Sequence, residues 1–226
     1  MSHRAWTFRN IAVRCLVILI GTAVAGVGCA AYVVATLGSD PVTVFVQGIQ
    51  SVLHLKSFGA AMNAYNIAFF VVILIMGRKY IHLGTVIYTF LCGTFCNLFI
   101  GLFHPILGTE PSLVLRAVFL LIGVAGLGLG LGIYQSARLG CGPTDGFNQS
   151  LSDKLKIPLK WERIGCDVVF SLAGWALGGV IGLGTVLGMF ATGPIMGPTI
   201  TKLAPVVDRW AGTTDCFKRD HLVRTV

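Results

Sequence analysis

One segment of this chain occurs twice. Ala35, Leu37, Gly38, Pro41, Phe45 and Gln47 return as Ala137, Leu139, Gly140, Pro143, Phe147 and Gln149, at a constant offset of 102. The same offset carries Ile49 onto Leu151 and Leu53 onto Leu155, which preserves an apolar stripe at helical spacing. A second block follows in each half. Leu83, Gly84, Thr85, Val86, Phe90 and Gly93 reappear as Leu183, Gly184, Thr185, Val186, Phe190 and Gly193, now at offset 100. Chance supplies Leu and Gly in apolar sequence. It rarely supplies Pro, Phe and Gln at fixed spacing, followed by a second block in the same order. The fold therefore has to be assembled from two like halves.

Lipid is the solvent for most of those halves. Of 226 residues, 55% are hydrophobic and 12% charged, where a soluble domain carries roughly 25% charged residues. Six apolar runs approach the ~20 residues that span a bilayer: 11–37, 60–76, 83–103, 113–134, 164–181 and 183–203. The first follows Arg4 and Arg9, takes in Arg14 and continues well past a signal-peptide core, so it reads as a spanning helix. The expectation is an all-α membrane protein with about six transmembrane helices. Residues 1–226 form a single membrane domain, with repeats at 10–103 and 113–205 and a cytoplasmic tail at 206–226.

Charge gives the orientation. With the N-terminus in the cytoplasm, every Lys and Arg except Lys56 and Arg116 falls on the cytoplasmic side, a strong positive-inside bias. Both termini are then cytoplasmic, in a bacterial cytoplasmic (inner) membrane. The basic excess sits in loops without an aromatic-basic patch, so no nucleic-acid partner is expected.

Each half contains three crossings, an odd number, so the halves enter the membrane in opposite orientations. Such inverted repeats recur in transporters, where exchange of the two halves' shapes gives alternating access. Between the first and second crossing of each half lies a short element, 42–55 and 144–155, too short to span at ~1.5 Å per residue. These elements either re-enter the membrane with their N-termini pointing inward or lie flat at its surfaces.

Polar residues near these elements are the candidate substrate pathway. Pro41 and Pro143 suit the first turn of a helix. Asp40 is positioned to cap the first short helix and Gly142 the second, with Asp145 close behind. Gln47, Asn148 and Gln149 lie on the short elements, Arg138 in the second turn, and Asn66, Asn97 and Asp167 within spans. Asp167 reads equally as an interfacial ion-pair member or a coupling-ion site, and the Asn residues as interhelical glue. Free half-helix N-termini would favour anionic groups. Gly193 and Pro194, followed by Pro198, predict a kinked or broken last span beside the pathway. Glycine pairs at i, i+4, such as Gly126 with Gly130 and Gly128 with Gly132, are faces for close helix approach and permit a homodimer.

Enzyme signatures such as HExxH, GxSxG or a P-loop are missing. The seven cysteines form no CxxC pair, so no enzyme activity, cofactor or metal is expected. The two Leu-Gly-x-x-Pro turns and the Gly182-Leu183-Gly184-Thr185-Val186 block resemble the YczE/YitT-like bacterial integral membrane family over about residues 10 to 205. The first turn departs from the second, with Ser39 and Asp40 in place of Cys141 and Gly142. The resemblance implies a small polytopic bacterial membrane protein and names no substrate. The leading expectation is a small-solute permease, its partners the bilayer and an unidentified small molecule or ion. A passive channel and a non-transporting accessory protein are the alternatives.

Overall fold

The computed structural model describes residues 7–76, 78–108 and 110–212. Residues 213–226, most of the expected tail, lie outside the described residues, as do Arg4 and the two termini. The chain runs through α1 (Phe8–Ala35), α2 (Pro41–Val52), α3 (Phe58–Met76), a 3-10 turn (Arg78–Tyr80) and α4 (Leu83–Leu107). The second half follows as α5 (Leu113–Ser136), α6 (Pro143–Leu155), α7 (Leu159–Ala176) and α8 (Leu183–Trp210). No strand occurs among the described residues. The two halves thus repeat one order of elements: long, short, medium, long.

Among the described residues five helices, α1, α3, α4, α5 and α8, are long and apolar enough to cross a membrane. Helix α7, expected at 164–181, is displaced toward the N-terminus. Pro158 sets its start, with Trp161 N–H donating to Pro158 O at 2.9 Å, and Gly178, at φ +96°, follows its end. The early start draws Lys160, Glu162 and Arg163 into the helix, a charged turn that hydropathy assigns to a loop. Helix α8 also differs from expectation. It stays continuous through Pro194, Pro198 and Pro205, because Ile195 and Thr199 pack on the bare backbone of Gly128 and Gly132 in α5. It extends to Trp210, five residues past position 205.

Helices α1 and α5 form the central seam. A Cβ on Gly21 would meet Tyr134, on Gly28 Leu127, on Gly130 Ala25, and on Gly123 Tyr32. As the α1 number rises the α5 number falls, so the two helices run antiparallel. The contact is backbone on backbone: a Cβ at Gly28 would lie 2.2 Å from Leu127 N. We expect Gly28→Leu to prevent accumulation of a monodisperse folded protein in size-exclusion chromatography. Overpacking of this kind usually costs about 1–3 kcal/mol, and here the atoms met are main chain, which no change of rotamer moves. Gly101→Ala on α4, with open space around it, should leave the profile intact and raise the unfolding temperature slightly, as Ala is the better helix former.

The halves also interlock, and the contacts come in matched pairs. Gly84 N–H donates to Leu139 O at 2.9 Å, and Gly184 N–H to Leu37 O at 3.0 Å. Each half's turn thus docks on the start of the other half's last helix. The turns have one conformation: Thr36 and Arg138 at φ +51° and +52°, Gly38 and Gly140 at +93° and +100°. A side chain is strained in that last conformation, and the backbone of Gly182 or the Thr85 hydroxyl fills the space it would need. The aromatic pairs match as well. Phe45 packs on Phe170 with centroids 5.4 Å apart, and Phe147 on Phe69 at 5.2 Å. These contacts set α3 against α7 at an offset of 101, so single-residue steps before and after α7 carry the offset from 102 to 100.

The outer faces are apolar. Phe90, Leu98, Leu102, Leu121, Val169 and Leu172 are all exposed, a distribution a water-soluble monomer does not sustain.

Candidate functional site

A cavity of about 490 Å³ lies inside the helices, and the N-terminal ends of both short helices border it: Asp40, Pro41, Val42 and Thr43 from α2, and Gly142, Thr144 and Asp145 from α6. That volume is ordinary for a small-molecule site. The remaining wall is shared. α1 gives Ala25 and Cys29, α3 Met62 and Asn66, α4 Tyr88 and Cys92, α5 Leu127 and Leu131. α7 gives Lys160, Arg163, Ile164 and Asp167, and α8 contributes from Gly188 to Pro194.

The two helix ends are finished differently. Asp40 caps α2: its Oδ2 accepts from Thr43 N–H at 3.3 Å, and Thr43 in turn touches the Cys29 thiol at 3.3 Å. The other carboxylate oxygen of Asp40, on a residue 8% exposed, has no hydrogen-bond partner. On α6, Gly142 offers no side chain. Asp145 turns away from the backbone, accepting from Gln135 Nε2 at 2.8 Å and pairing with Arg163 at 3.6 Å. Thr144 Oγ1 meets the Tyr65 hydroxyl at 3.0 Å, tying α6 to α3. Asn66 and Asn148, both buried, leave Nδ2 and Oδ1 without partners.

Of the residues singled out in the sequence, Asp40, Pro41, Asn66, Gly142, Asp145, Asn148, Asp167, Gly193 and Pro194 border the cavity. Pro143 is buried in the first turn of α6, and Gln149 is half-buried on the same helix; neither is part of the wall. Gln47 holds the end of α7 instead, its Oε1 accepting from Val180 N–H at 3.1 Å and its Nε2 donating to Ser39 at 3.4 Å. Asn97 clamps α4 to α3, accepting from Gly59 N–H at 2.8 Å and donating to Ser57 at 3.0 Å. Arg138 pairs with Asp208 at 3.0 Å, away from the cavity.

Sequence reasoning passed over Thr43, Thr144, Tyr88, Lys160 and Arg163. The threonines follow the repeat prolines closely and were findable; Tyr88 carries no signal inside an apolar run. It also took Arg14 for a loop cation. Arg14 is 1% exposed and bonds Asn10, the carbonyl of Ala137 and Asp208.

The two halves are not alike around the cavity. Gly93 of α4 packs against the Gly59 carbonyl, and Gly93 N–H donates to Asn63 Oδ1 at 3.0 Å, which seals α3 to α4. The equivalent glycine of α8, Gly193, has no atom within 4 Å of where its Cβ would stand, and neither has Gly165 of α7. There α7 and α8 stand apart, and the cavity fills the gap between Ile164 and Gly193.

Helices that bury polar side chains around a central cavity and turn bare apolar faces outward define a multi-pass membrane protein. The chain belongs to the family described as "Family of unknown function (DUF6198)", whose model matches residues 12–200. It is similar to an uncharacterized protein of Haemophilus influenzae, 32% identical over 177 residues, which are 78% of this chain and 77% of the relative. It is also similar to the uncharacterized membrane protein YczE of Bacillus subtilis, 34% identical over 119 residues, about half of each chain (53% and 54%). No solved structure matches this chain.

Proposed function

We propose that the chain is a small-solute transporter whose two halves, inserted as inverted repeats of three crossings each, alternate around the cavity. The observation that carries the reading is the convergence of both short helices, by their N-terminal ends, on one cavity. At 12 and 13 residues neither crosses a bilayer, and discontinuous helices of this kind, ending inside at a repeat interface, are the usual construction of a transporter's binding site. The antiparallel seam of α1 and α5 supports opposed insertion. Helix α7, with its charged first turns facing the cavity, is the sixth crossing, since charge inside a span is tolerated where it lines a watery path.

Opposed insertion has a direct test. Lys56 and Lys156, in the equivalent links after α2 and α6, are both exposed. A membrane-impermeant thiol reagent added to intact cells should label Lys56→Cys and spare Lys156→Cys, which becomes reactive only in everted vesicles. Labelling of both from one side removes the inverted repeat. For transport, proteoliposomes offered a mixed pool of small metabolites should accumulate one class saturably against an imposed proton or sodium gradient. Fast, non-saturating flux would point to a channel, and no flux of any solute to an accessory protein.

A further inference from the structure

We propose that the cavity takes a small organic cation, an ammonium head on an apolar body; this deepens the transport reading and rests on it for the cavity's role as a solute path. Bare helix N-termini would attract anions, each end acting as about half a positive charge. Here Asp40 spends one oxygen on the end of α2 and keeps the other unpartnered. Arg163 is engaged with Asp145. Lys160 is exposed at the rim, where water screens it. Two carboxylates on the wall, Asp40 and Asp167, form no ion pair among the described residues, and a bound ammonium would supply the counter-charge a buried carboxylate needs.

The neutral groups point the same way. Asn148, 5% exposed, presents an Oδ1 without a donor. Pro194 has no N–H, so the Phe190 carbonyl one turn earlier lacks its helical donor beside the cavity. The unpartnered side-chain atoms of the wall are thus two acceptors, Asp40 Oδ1 and Asn148 Oδ1, against one donor, Asn66 Nδ2, and an ammonium fills the acceptors where a carboxylate does not. Tyr88 adds an aromatic residue to the wall, and a cation gains from an aromatic face. Met62, Leu127 and Leu131 provide the apolar remainder.

The test uses the purified full chain in detergent, with n-butylammonium, butyramide and butyrate as matched probes at constant ionic strength. Butylammonium should raise the unfolding temperature saturably while the other two do not. Asp40→Asn should weaken that binding at least tenfold, and Asn97→Ala, outside the cavity, should leave it unchanged. Should Asp40→Asn not fold, the unaltered protein still decides the matter. Cys29 and Cys92 line the cavity, and butylammonium should slow their alkylation by N-ethylmaleimide where butyrate does not. Stabilisation by butyrate, or indifference to butylammonium in both measurements, overturns the proposal. The two readings fail separately. Ammonium binding without flux of any solute sinks transport alone, and saturable uptake of an anion with no ammonium effect sinks the cation site alone.

Discussion

A cross-link between cysteines at positions 164 of α7 and 193 of α8 should bring solute flux in proteoliposomes to background, a loss of at least tenfold. The halves share one element order and one turn geometry, yet α3 is sealed to α4 while α7 stands away from α8. On the alternating reading proposed above, both packings are accessible to each half. Exchanging them would give that transporter's second state: α7 closed on α8 and α3 drawn away from α4. The bare surface of Gly193 and Gly165 then has a purpose, since backbones approach closely only where side chains are absent. Closure would bring α7 onto Gly193 as Asn63 now lies on Gly93.

The complementary lock joins Ser57→Cys to Asn97→Cys, whose native side chains are 3.0 Å apart, in a background without the other cysteines. That pair should oxidise at once, holding the present arrangement. The 164–193 pair should react slowly, trapping molecules as they close. Alternation demands that both locks stop flux and that reduction restores it. A passive pore demands less, because sealing α3 to α4 leaves the existing opening untouched. Flux that survives the 57–97 lock would therefore favour a channel over a carrier.

The repeat gave the architecture to the sequence, and the reason is physical. Pro41 and Pro143 begin helices because a fixed φ and a missing N–H cost nothing in a first turn. Gly38 and Gly140 recur because only glycine adopts their backbone beside a neighbouring main chain. Such local demands are written in residue identity. The cavity was legible where it follows from the repeat, as at Asp40, Gly142 and Asp145. It was not legible where partners come from elsewhere. Gln47 looked like a pathway residue and Asn97 like either pathway or glue, yet Gln47 completes the backbone N–H of Val180 in the loop after α7 and Asn97 that of Gly59 in α3. Polar residues in apolar sequence must find a partner, but spacing does not say whether that partner is a solute or a neighbouring helix. The asymmetry between the α3–α4 and α7–α8 contacts was invisible for another reason. By the repeat offsets the clamps Asn63 and Asn97 fall on Ile164 and Gly197, and a matched pattern does not say which unmatched side chains hold two helices together.

Removing either member of the buried pair Arg14–Asp208 should cost roughly 3–5 kcal/mol of stability, as loss of one partner from a buried salt bridge generally does. Arg14 enters α1 as its seventh residue, ~10 Å along the helix. Its guanidinium reaches Asn10 at 2.8 Å, the Ala137 carbonyl at 2.6 Å and Asp208 at 2.7 Å. Asp208 also holds Arg138 at 3.0 Å. One carboxylate thus ties the start of α1, the α5–α6 turn and the end of α8. Arg14→Leu takes a cation from Asp208; Asp208→Asn takes a carboxylate from a guanidinium that is 1% exposed. The second is the costlier change, because burial penalises an unpaired charge in proportion to its loss of water. In detergent titrated toward unfolding, both variants should melt early. The double variant Arg14→Leu with Asp208→Leu should lose less than the two losses added, since no stranded pair remains. Strict additivity would mean that the contact is geometry without energy. The cluster would then be incidental to holding the two halves at this end of the seam.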